Sequence, residues 1–328
     1  MAEKPRADLF VVVRMLDEDE NLSAPARVQR VMLSDYAWRK MLGPHQYRIA
    51  RGRGTERPFC GALLDEKRPS LYICVCCGLP LFGSDAKFES GTGWPSYSAP
   101  VARENVTTRP DSSHGMARTE ILCARCDAHL GHVFEDGPAP TGLRYCLNSA
   151  SLVFLPRDTP WRRQQTRGRY GRATFAAGCF WGVQAAFQSV SGVAATAVGY
   201  TGGRTEWPSY EEVCSGQTGH AEAVRVIYDA NAVSFSALLD VFWRIHDPTA
   251  LNRQGPDVGE QYRSAIFCHD TDQRLAAERS MDEQRKSGRF RRPIVTEIAE
   301  AGPFYRAEEY HQDYARKHGG AACGAGAR

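Results

Sequence analysis

Residues 74–77 read CVCC and residues 123–126 read CARC, and these two stretches decide how the first half of the chain folds. Each supplies a Cys-x-x-Cys knuckle, Cys74 with Cys77 and Cys123 with Cys126. Two such knuckles place four thiolates at the corners of a tetrahedron, the geometry Zn²⁺ takes at structural sites. Residues 78–122, 45 in number, separate them, whereas a zinc ribbon spaces its knuckles by roughly 15–20. The metal is therefore expected to staple a larger domain together. Cys76, inside the first knuckle, is an alternative ligand. Four unrelated buried cysteines are the competing reading.

Around the knuckles, residues 70–75, 101–107 and 143–155 read as strands separated by Gly and Pro. Upstream, Ser34 before Asp35 is a helix-capping signal, and Trp38, Met41 and Leu42 follow at helical spacing. Residues 1–32 show no convincing period and carry no assigned function, with a solvated turn at 17–21. Residues 33–156 are thus expected to form a mainly-β, zinc-stapled domain. Residues 157–171 hold Arg157, Arg162, Arg163, Arg167 and Arg169 beside Gly168, a solvated linker in preference to an RNA or membrane contact.

Beyond the linker the pattern changes. Residues 173–177, 223–228, 262–269 and 294–298 read as strands. Val183, Ala186, Phe187 and Val190 mark a helix face, and residues 236–245 and 273–286 read as helices. Strands alternating with helices predict an α/β or α+β layer over residues 172–328, here an α+β domain with a split βαβ-like sheet and helices. No internal repeat joins the two halves.

The 328 residues suit two domains, each with its own core. A hydrophobic share of 42% and a charged share of 24% are those of a soluble globular chain. The net charge of +3 is nearly balanced, which argues against nucleic acid as a partner. No apolar run approaches the ~20 residues of a membrane span. Residues 9–13 are too short for a signal segment and are flanked by Asp8 and Arg14. Eleven cysteines without an export signal favour metal ligands and working thiols over a disulfide framework. The expected compartment is the cytoplasm.

Two cysteines stand out as working thiols. In RYCLNSASLVF, residues 144–154, alternation puts Arg144, Cys146 and Asn148 on one face of a strand. A neighbouring guanidinium favours the thiolate, which is the nucleophile. His129 and His132 in HLGH are candidates to donate protons or complete a metal site, although either histidine alone is more often structural. In ATFAAGCFWG, residues 173–182, a strand ends at Gly178 and a helix begins near Cys179. A helix N-terminus carries about half a positive charge and favours a thiolate there. Phe180 and Trp181 suggest an apolar slot beside it.

SGTGWPSY at 90–97, HLGHVFEDGP at 129–138 and RYCLNS at 144–149, with both knuckles, resemble the methionine sulfoxide reductase B family. The resemblance runs from about residue 33 to 156 and implies a zinc-stapled β fold acting on the R-sulfoxide of methionine. It implies Cys146 as nucleophile, Trp94 as the wall against the substrate methyl, and His129, His132, Arg144 and Asn148 around the sulfoxide oxygen. Tyr97 stands where Phe is usual, and Thr92 where many members place the resolving cysteine. Cys60, in ERPFCG, occupies the position that other members use.

GYTGG at 199–203, PSYEEVCSGQTGHAEAVRV at 208–226, HDPTALNRQGPDVGEQYRS at 246–264 and EEYHQDY at 308–314 resemble the methionine sulfoxide reductase A family. That resemblance covers about residues 172–318 and implies reduction of the S-sulfoxide, free or in proteins, without a metal. It implies Cys179 as nucleophile, Glu222 as proton donor, Phe180 and Trp181 holding the methyl group, and Tyr210, Asp257 and Tyr262 around the oxygen. The tail offers one thiol, Cys323 in GGAACGAG, as the candidate resolving cysteine. Cys214 and Cys268 fall in segments expected to bury them as apolar side chains.

The chemistry fits these residue types. A thiolate attacks the sulfoxide sulfur while a proton reaches the oxygen; Glu222 supplies it only if an apolar pocket keeps it protonated near neutrality. The resulting sulfenic acid condenses with a second thiol to a disulfide, and both families imply thioredoxin as the dithiol that reduces it. Two rival readings are a zinc-dependent binding module fused to a redox domain and a cysteine hydrolase. Mass spectrometry of each cysteine after one equivalent of sulfoxide separates them: hydrolysis leaves thiols, reduction leaves sulfenate or disulfide.

Overall fold

The computed structural model describes residues 9–17, 21–113, 117–157 and 170–319. Most of the basic linker and Cys323 lie outside these residues. The chain divides into two compact units, with the main boundary between residues 159 and 160.

In the first unit a six-stranded antiparallel sheet runs in the order Lys87–Phe88, Ser96–Tyr97, Arg144–Leu147, His129–Phe134, Arg118–Cys123, Val106–Asp111. A second sheet orders Leu152–Pro156, Ser70–Cys74 and Pro80–Gly83. The expected strand over 143–155 is therefore broken in two. A 3₁₀ turn at Ser149–Ser151 interrupts it, and the buried Glu56 carboxylate fastens that turn, accepting from the amides of Ser149 at 2.6 Å and Ala150 at 2.8 Å. The break hands the chain from one sheet to the other. The strand expected from residue 101 starts instead at Val106, after a 3₁₀ turn at Arg103–Asn105.

The N-terminal region holds order that the sequence pattern did not reveal. Phe10–Val13 pairs antiparallel with Ala26–Gln29, and Val13 and Val28 are buried. Asn105 clamps this hairpin, its side chain accepting from Arg14 N–H at 2.8 Å and donating to Arg14 O at 2.8 Å. Four-residue strands are too short to register as a period. Ser34 caps the helix Asp35–Met41 as expected, accepting from Ala37 N–H. A second helix, Pro44–Ala50, follows with proline in its first turn, where the missing N–H costs nothing.

The second unit has a six-stranded sheet in the order Glu297–Glu300, Ser264–Cys268, Tyr170–Ala177, Ala221–Asp229, Val193–Thr201, Tyr305–Arg306. Tyr170–Ala177 and Val193–Thr201 are joined by the helix Phe180–Gln188, and Ala221–Asp229 lies between them, antiparallel to both. This is a split β-α-β unit. The helix Phe235–Ile245 makes a second one, linking Ala221–Asp229 to Ser264–Cys268 across Tyr170–Ala177. The one parallel pair among the described ladders of this sheet joins Ser264–Cys268 to Glu297–Glu300.

Apolar residues on one face of this sheet meet the helices. Phe175 stacks on Phe187 at 4.9 Å and on Phe242 at 5.4 Å between ring centroids, among buried Leu238, Leu239 and Ile266. Each such side chain contributes roughly 1.5–3 kcal/mol. The strand expected over 262–269 begins only at Ser264, after a 3₁₀ turn at Glu260–Tyr262, and the last expected strand is shifted to Glu297–Glu300. Among the described residues, no helix is long and apolar enough to cross a membrane.

Candidate active sites and metal centre

The four knuckle cysteines converge. The sulfurs of Cys74, Cys77, Cys123 and Cys126 all lie within 4.8 Å of one another, and all four residues are buried. Cys74 Sγ lies 3.6 Å from Cys126 Sγ, and Cys77 Sγ 3.5 Å from Cys123 Sγ. Four sulfurs each about 2.3 Å from a central ion stand about 3.8 Å apart, so the cluster is compatible with tetrahedral zinc. The knuckles share one local geometry. Gly78 N–H donates to Cys74 O and Asp127 N–H to Cys123 O, both at 2.9 Å, with φ of +76° at Gly78 and +57° at Asp127. Among the described residues this is the one such cluster of His, Cys, Asp and Glu. Neither histidine of HLGH belongs to it.

Cys146 sits in the middle of a polar row across the six-stranded sheet. Its register partners are Ser96 on one side and His132 on the other, and His132 in turn pairs with Glu120 and Glu120 with Arg109. Register partners share a face. Arg144 shares it too, gripped by Asp136 through two hydrogen bonds of 2.8 Å. Burial pushes the Cys146 thiol up, and the opposing pull of Arg144 and of the Thr92 hydroxyl does not overcome it. Arg144 favours the thiolate there, against a larger desolvation cost.

Two expected substrate groups turn out to be tied together by Glu56. Trp94 Nε1 donates to Glu56 O at 3.1 Å. Asn148 Oδ1 accepts from Glu56 N–H at 3.0 Å, and its Nδ2 donates to Leu130 O at 3.2 Å. The Asn148 amide is thereby engaged with backbone, holding the Glu56 segment to which the indole is bonded. Cys60 is exposed in the same segment. Phe59 N–H donates to Gly93 O at 2.8 Å, and a Cβ at Gly93 would lie 2.8 Å from that nitrogen, so glycine is required beside Trp94.

His129 Nδ1 lies 2.6 Å from Glu120 Oε1, and His132 Nε2 lies 2.7 Å from Asp111 Oδ2. Burial lowers His129 below the ordinary histidine range against the pull of Glu120. Glu120, Asp111, Asp136 and Glu56 were not found by sequence reasoning. Glu120 pairs with His132 across the ladder while bonding His129, Asp111 reaches His132 from the edge strand, and Asp136 and Glu56 act from outside the strands, so they become visible only in the folded sheet.

In the second unit, Cys179 is the N-cap of the helix Phe180–Gln188. Gly178 before it has φ +92°, and a Cβ there would strike the Gln254 side chain at 2.6 Å. Glu222 Oε2 accepts from Phe180 N–H at 3.1 Å. Burial, more than the nearby Asp257 charge, pushes Glu222 up to about 8 against that hydrogen bond. Tyr210 is the first residue of its helix, placed by the capping box of Ser209 with Glu212. Desolvation raises Tyr210 and Tyr262, and the charges of Glu222, Cys214, Asp257 and Cys179 add to the rise of Tyr262. These expected residues are therefore brought within electrostatic reach of one another.

Phe180 and Trp181 differ in burial. The Phe180 ring is 1% exposed and belongs to the core, whereas Trp181 is only partly buried and stacks on Tyr314 at 3.7 Å. His311, which the sequence reading did not single out, lies behind them. Its Nδ1 accepts from Trp181 Nε1 at 3.1 Å, and its ring lies 4.5 Å from Tyr210. Burial pulls it down to about 3, so it is a neutral wall. Cys268 is buried as expected, but Cys214 is exposed at the end of the helix Tyr210–Cys214. Its segment is helical.

Two families match the chain: the SelR domain at residues 42–156 and peptide methionine sulfoxide reductase at residues 171–327. Among curated proteins, peptide methionine sulfoxide reductase MsrA of Methanoculleus marisnigri is 61% identical over 46% of this chain and 93% of its own length. Peptide methionine sulfoxide reductase MsrB of Hahella chejuensis is 58% identical over 40% of this chain and 94% of its own. Among solved structures, reduced Mxr1 of Saccharomyces cerevisiae is 36% identical over 48% of this chain and 90% of its own, with a TM-score of 0.45. The chain belongs to the peptide methionine sulfoxide reductases, its first unit to the B-type (SelR) family and its second to the A-type family, and it carries the activities on both the R- and S-sulfoxides.

Proposed function

We propose that the two units work by parallel routes, Cys146 reducing the R-sulfoxide and Cys179 the S-sulfoxide of methionine residues, with free methionine sulfoxide also accepted by the second unit. In the second unit Glu222 delivers the proton. Its Oε2 is taken by the Phe180 amide, which leaves Oε1 to carry the hydrogen toward the sulfoxide oxygen. Tyr210, Tyr262 and Asp257 hydrogen-bond around that oxygen, and Trp181 over the Phe180 floor receives the methyl group. In the first unit Trp94 receives the methyl group, while His129, His132 and Arg144 surround the oxygen and Asn148 supports them from behind. The observation that carries this reading is Glu222, a carboxyl pushed up to about 8 by burial on the sheet beside the Cys179 helix. A group protonated at neutrality is what a departing oxide requires.

Each attack leaves a cysteine sulfenic acid. Cys60 then condenses with Cys146, and Cys323 with Cys179, and thioredoxin reduces both disulfides. Its support is the exposure of Cys60 on a segment hydrogen-bonded beside Trp94; for Cys323 it is the glycine-rich sequence alone. Cys74, Cys77, Cys123 and Cys126 would hold a structural zinc ion that ties the two knuckles together. The reading implies repair of oxidised proteins in the cytoplasm. It is tested with epimerically pure substrates. Cys146→Ser is expected to abolish reduction of the R-sulfoxide and spare the S-sulfoxide, and Cys179→Ser to do the reverse. Loss of both activities in either variant overturns the division.

A further inference from the structure

Each histidine of the B-type site ends a three-membered chain of the same composition. In one, Arg109 Nε donates to Glu120 Oε2 at 2.5 Å, and Glu120 Oε1 lies 2.6 Å from His129 Nδ1. In the other, Arg118 Nη2 donates to Asp111 Oδ2 at 2.9 Å, and that oxygen lies 2.7 Å from His132 Nε2. Asp111 Oδ1 accepts in addition from Ser113 N–H at 2.9 Å. Glu120 is 4% and His129 3% exposed, so the bond between them does not compete with bulk water.

The hydrogen in each carboxylate–histidine bond has only one place to sit. An ionised carboxylate offers lone pairs and no hydrogen. Burial favours neutral Glu120, yet Arg109 and His129 together hold it below the usual carboxylate range. Ser113, His132 and Arg118 hold Asp111 lower still. The ring nitrogen facing each carboxylate therefore carries the proton: Nδ1 in His129 and Nε2 in His132. Opposite atoms of the two rings are left over. His129 Nε2 is buried and has no hydrogen-bond partner among the described residues. His132 stands directly across the ladder from Cys146, and its remaining nitrogen is Nδ1.

We propose that Glu120 and Asp111 are positioning residues which lock the two histidines in opposite tautomers, so that the R-sulfoxide site receives Nε2 of His129 and Nδ1 of His132. Arg109 and Arg118 keep the two carboxylates ionised for that task. Each free nitrogen is an acceptor at rest and, when it takes a proton, becomes a donor whose positive charge is balanced by the carboxylate behind the ring. In one turnover the Cys146 S–H bond and the substrate S–O bond break. A Cys146 S–O bond and an O–H bond form, giving sulfenic acid and thioether, and the histidines end in the state in which they began.

The chemical part rests on the R-sulfoxide assignment; the tautomer part does not. The test uses the full-length, zinc-loaded protein labelled with ¹⁵N-histidine, in mildly alkaline buffer. Long-range ¹H–¹⁵N spectra, assigned by loss of signals in His129→Asn and His132→Asn, are expected to show protonated Nδ1 in His129 and protonated Nε2 in His132. The same tautomer in both rings overturns the proposal. Glu120→Gln is then expected to lower kcat for the R-sulfoxide on the order of 10²-fold with KM unchanged, and to leave the S-sulfoxide activity intact. An unchanged kcat in a folded Glu120→Gln variant also overturns it. Opposite tautomers in a protein that cannot reduce the R-sulfoxide would refute the assigned activity and leave the locking intact.

Discussion

Replacing Glu222 by glutamine is expected to make the second unit more stable and far less active, and the size of the first effect follows from its burial. Glu222 is 2% exposed, and its carboxyl is pushed from an ordinary 4.5 to about 8. A carboxyl raised in the folded state contributes its full stability below about pH 4.5 and loses it as pH rises toward 8. Across that window the unfolded chain has released a proton that the folded chain retains, so each pH unit costs about 1.4 kcal/mol. By pH 7 the accumulated cost is about 3 kcal/mol. Glutamine has the same shape, accepts from Phe180 N–H as Glu222 Oε2 does, and does not titrate. Glu222→Gln is therefore expected to match the wild type near pH 4.5 and to exceed it by about 3 kcal/mol at pH 7. That corresponds to a rise of roughly 6–12 °C in the melting of a unit this size. Calorimetry of the full chain at both pH values measures it, with the first unit's transition identified by its response to a zinc chelator. S-sulfoxide turnover is expected to fall on the order of 10²–10⁴-fold. Parallel stability curves, or a variant less stable than the wild type at pH 7, would refute the account of Glu222 as a neutral, desolvated acid.

Three further outcomes bear on the thiols. Because a structural zinc site contributes apparent energies of about 10–16 kcal/mol to folding, Cys123→Ser is expected to unfold the first unit and leave S-sulfoxide reduction in place; purified protein without one equivalent of zinc would sink this reading. Cys60→Ser is expected to stall thioredoxin-coupled R-sulfoxide turnover after a single burst, and undiminished steady-state turnover would count against Cys60 as the resolving thiol. Cys323→Ser is expected to stall S-sulfoxide turnover with thioredoxin and to be rescued by dithiothreitol, which reaches the sulfenate directly. Normal turnover there would shift attention to Cys214, exposed on the helix that carries Tyr210.

The linear sequence by itself determined the features set by residues close together along the chain. The knuckle pairs, the capped helix after Ser34, the strand-to-helix passage at Gly178–Cys179 and the long helix Thr271–Lys286 all follow from local spacing, and each is present. Both families were legible for the same reason, since their motifs are contiguous. Tertiary structure alone decided what depends on register and burial. Glu120 faces His129 from a neighbouring strand, and Asp111 reaches His132 from the edge strand beyond it. Glu56 holds Trp94 and Asn148 from 38 and 92 residues away in sequence, and His311 closes the wall behind Trp181 from 130 residues away. At Cys146, alternation reveals the neighbouring Arg144 but not the desolvation that opposes its pull on the thiol. Proximity in sequence identifies which groups are available; only the packed sheet sets how far each is removed from water, and that distance from water governs where their protons reside.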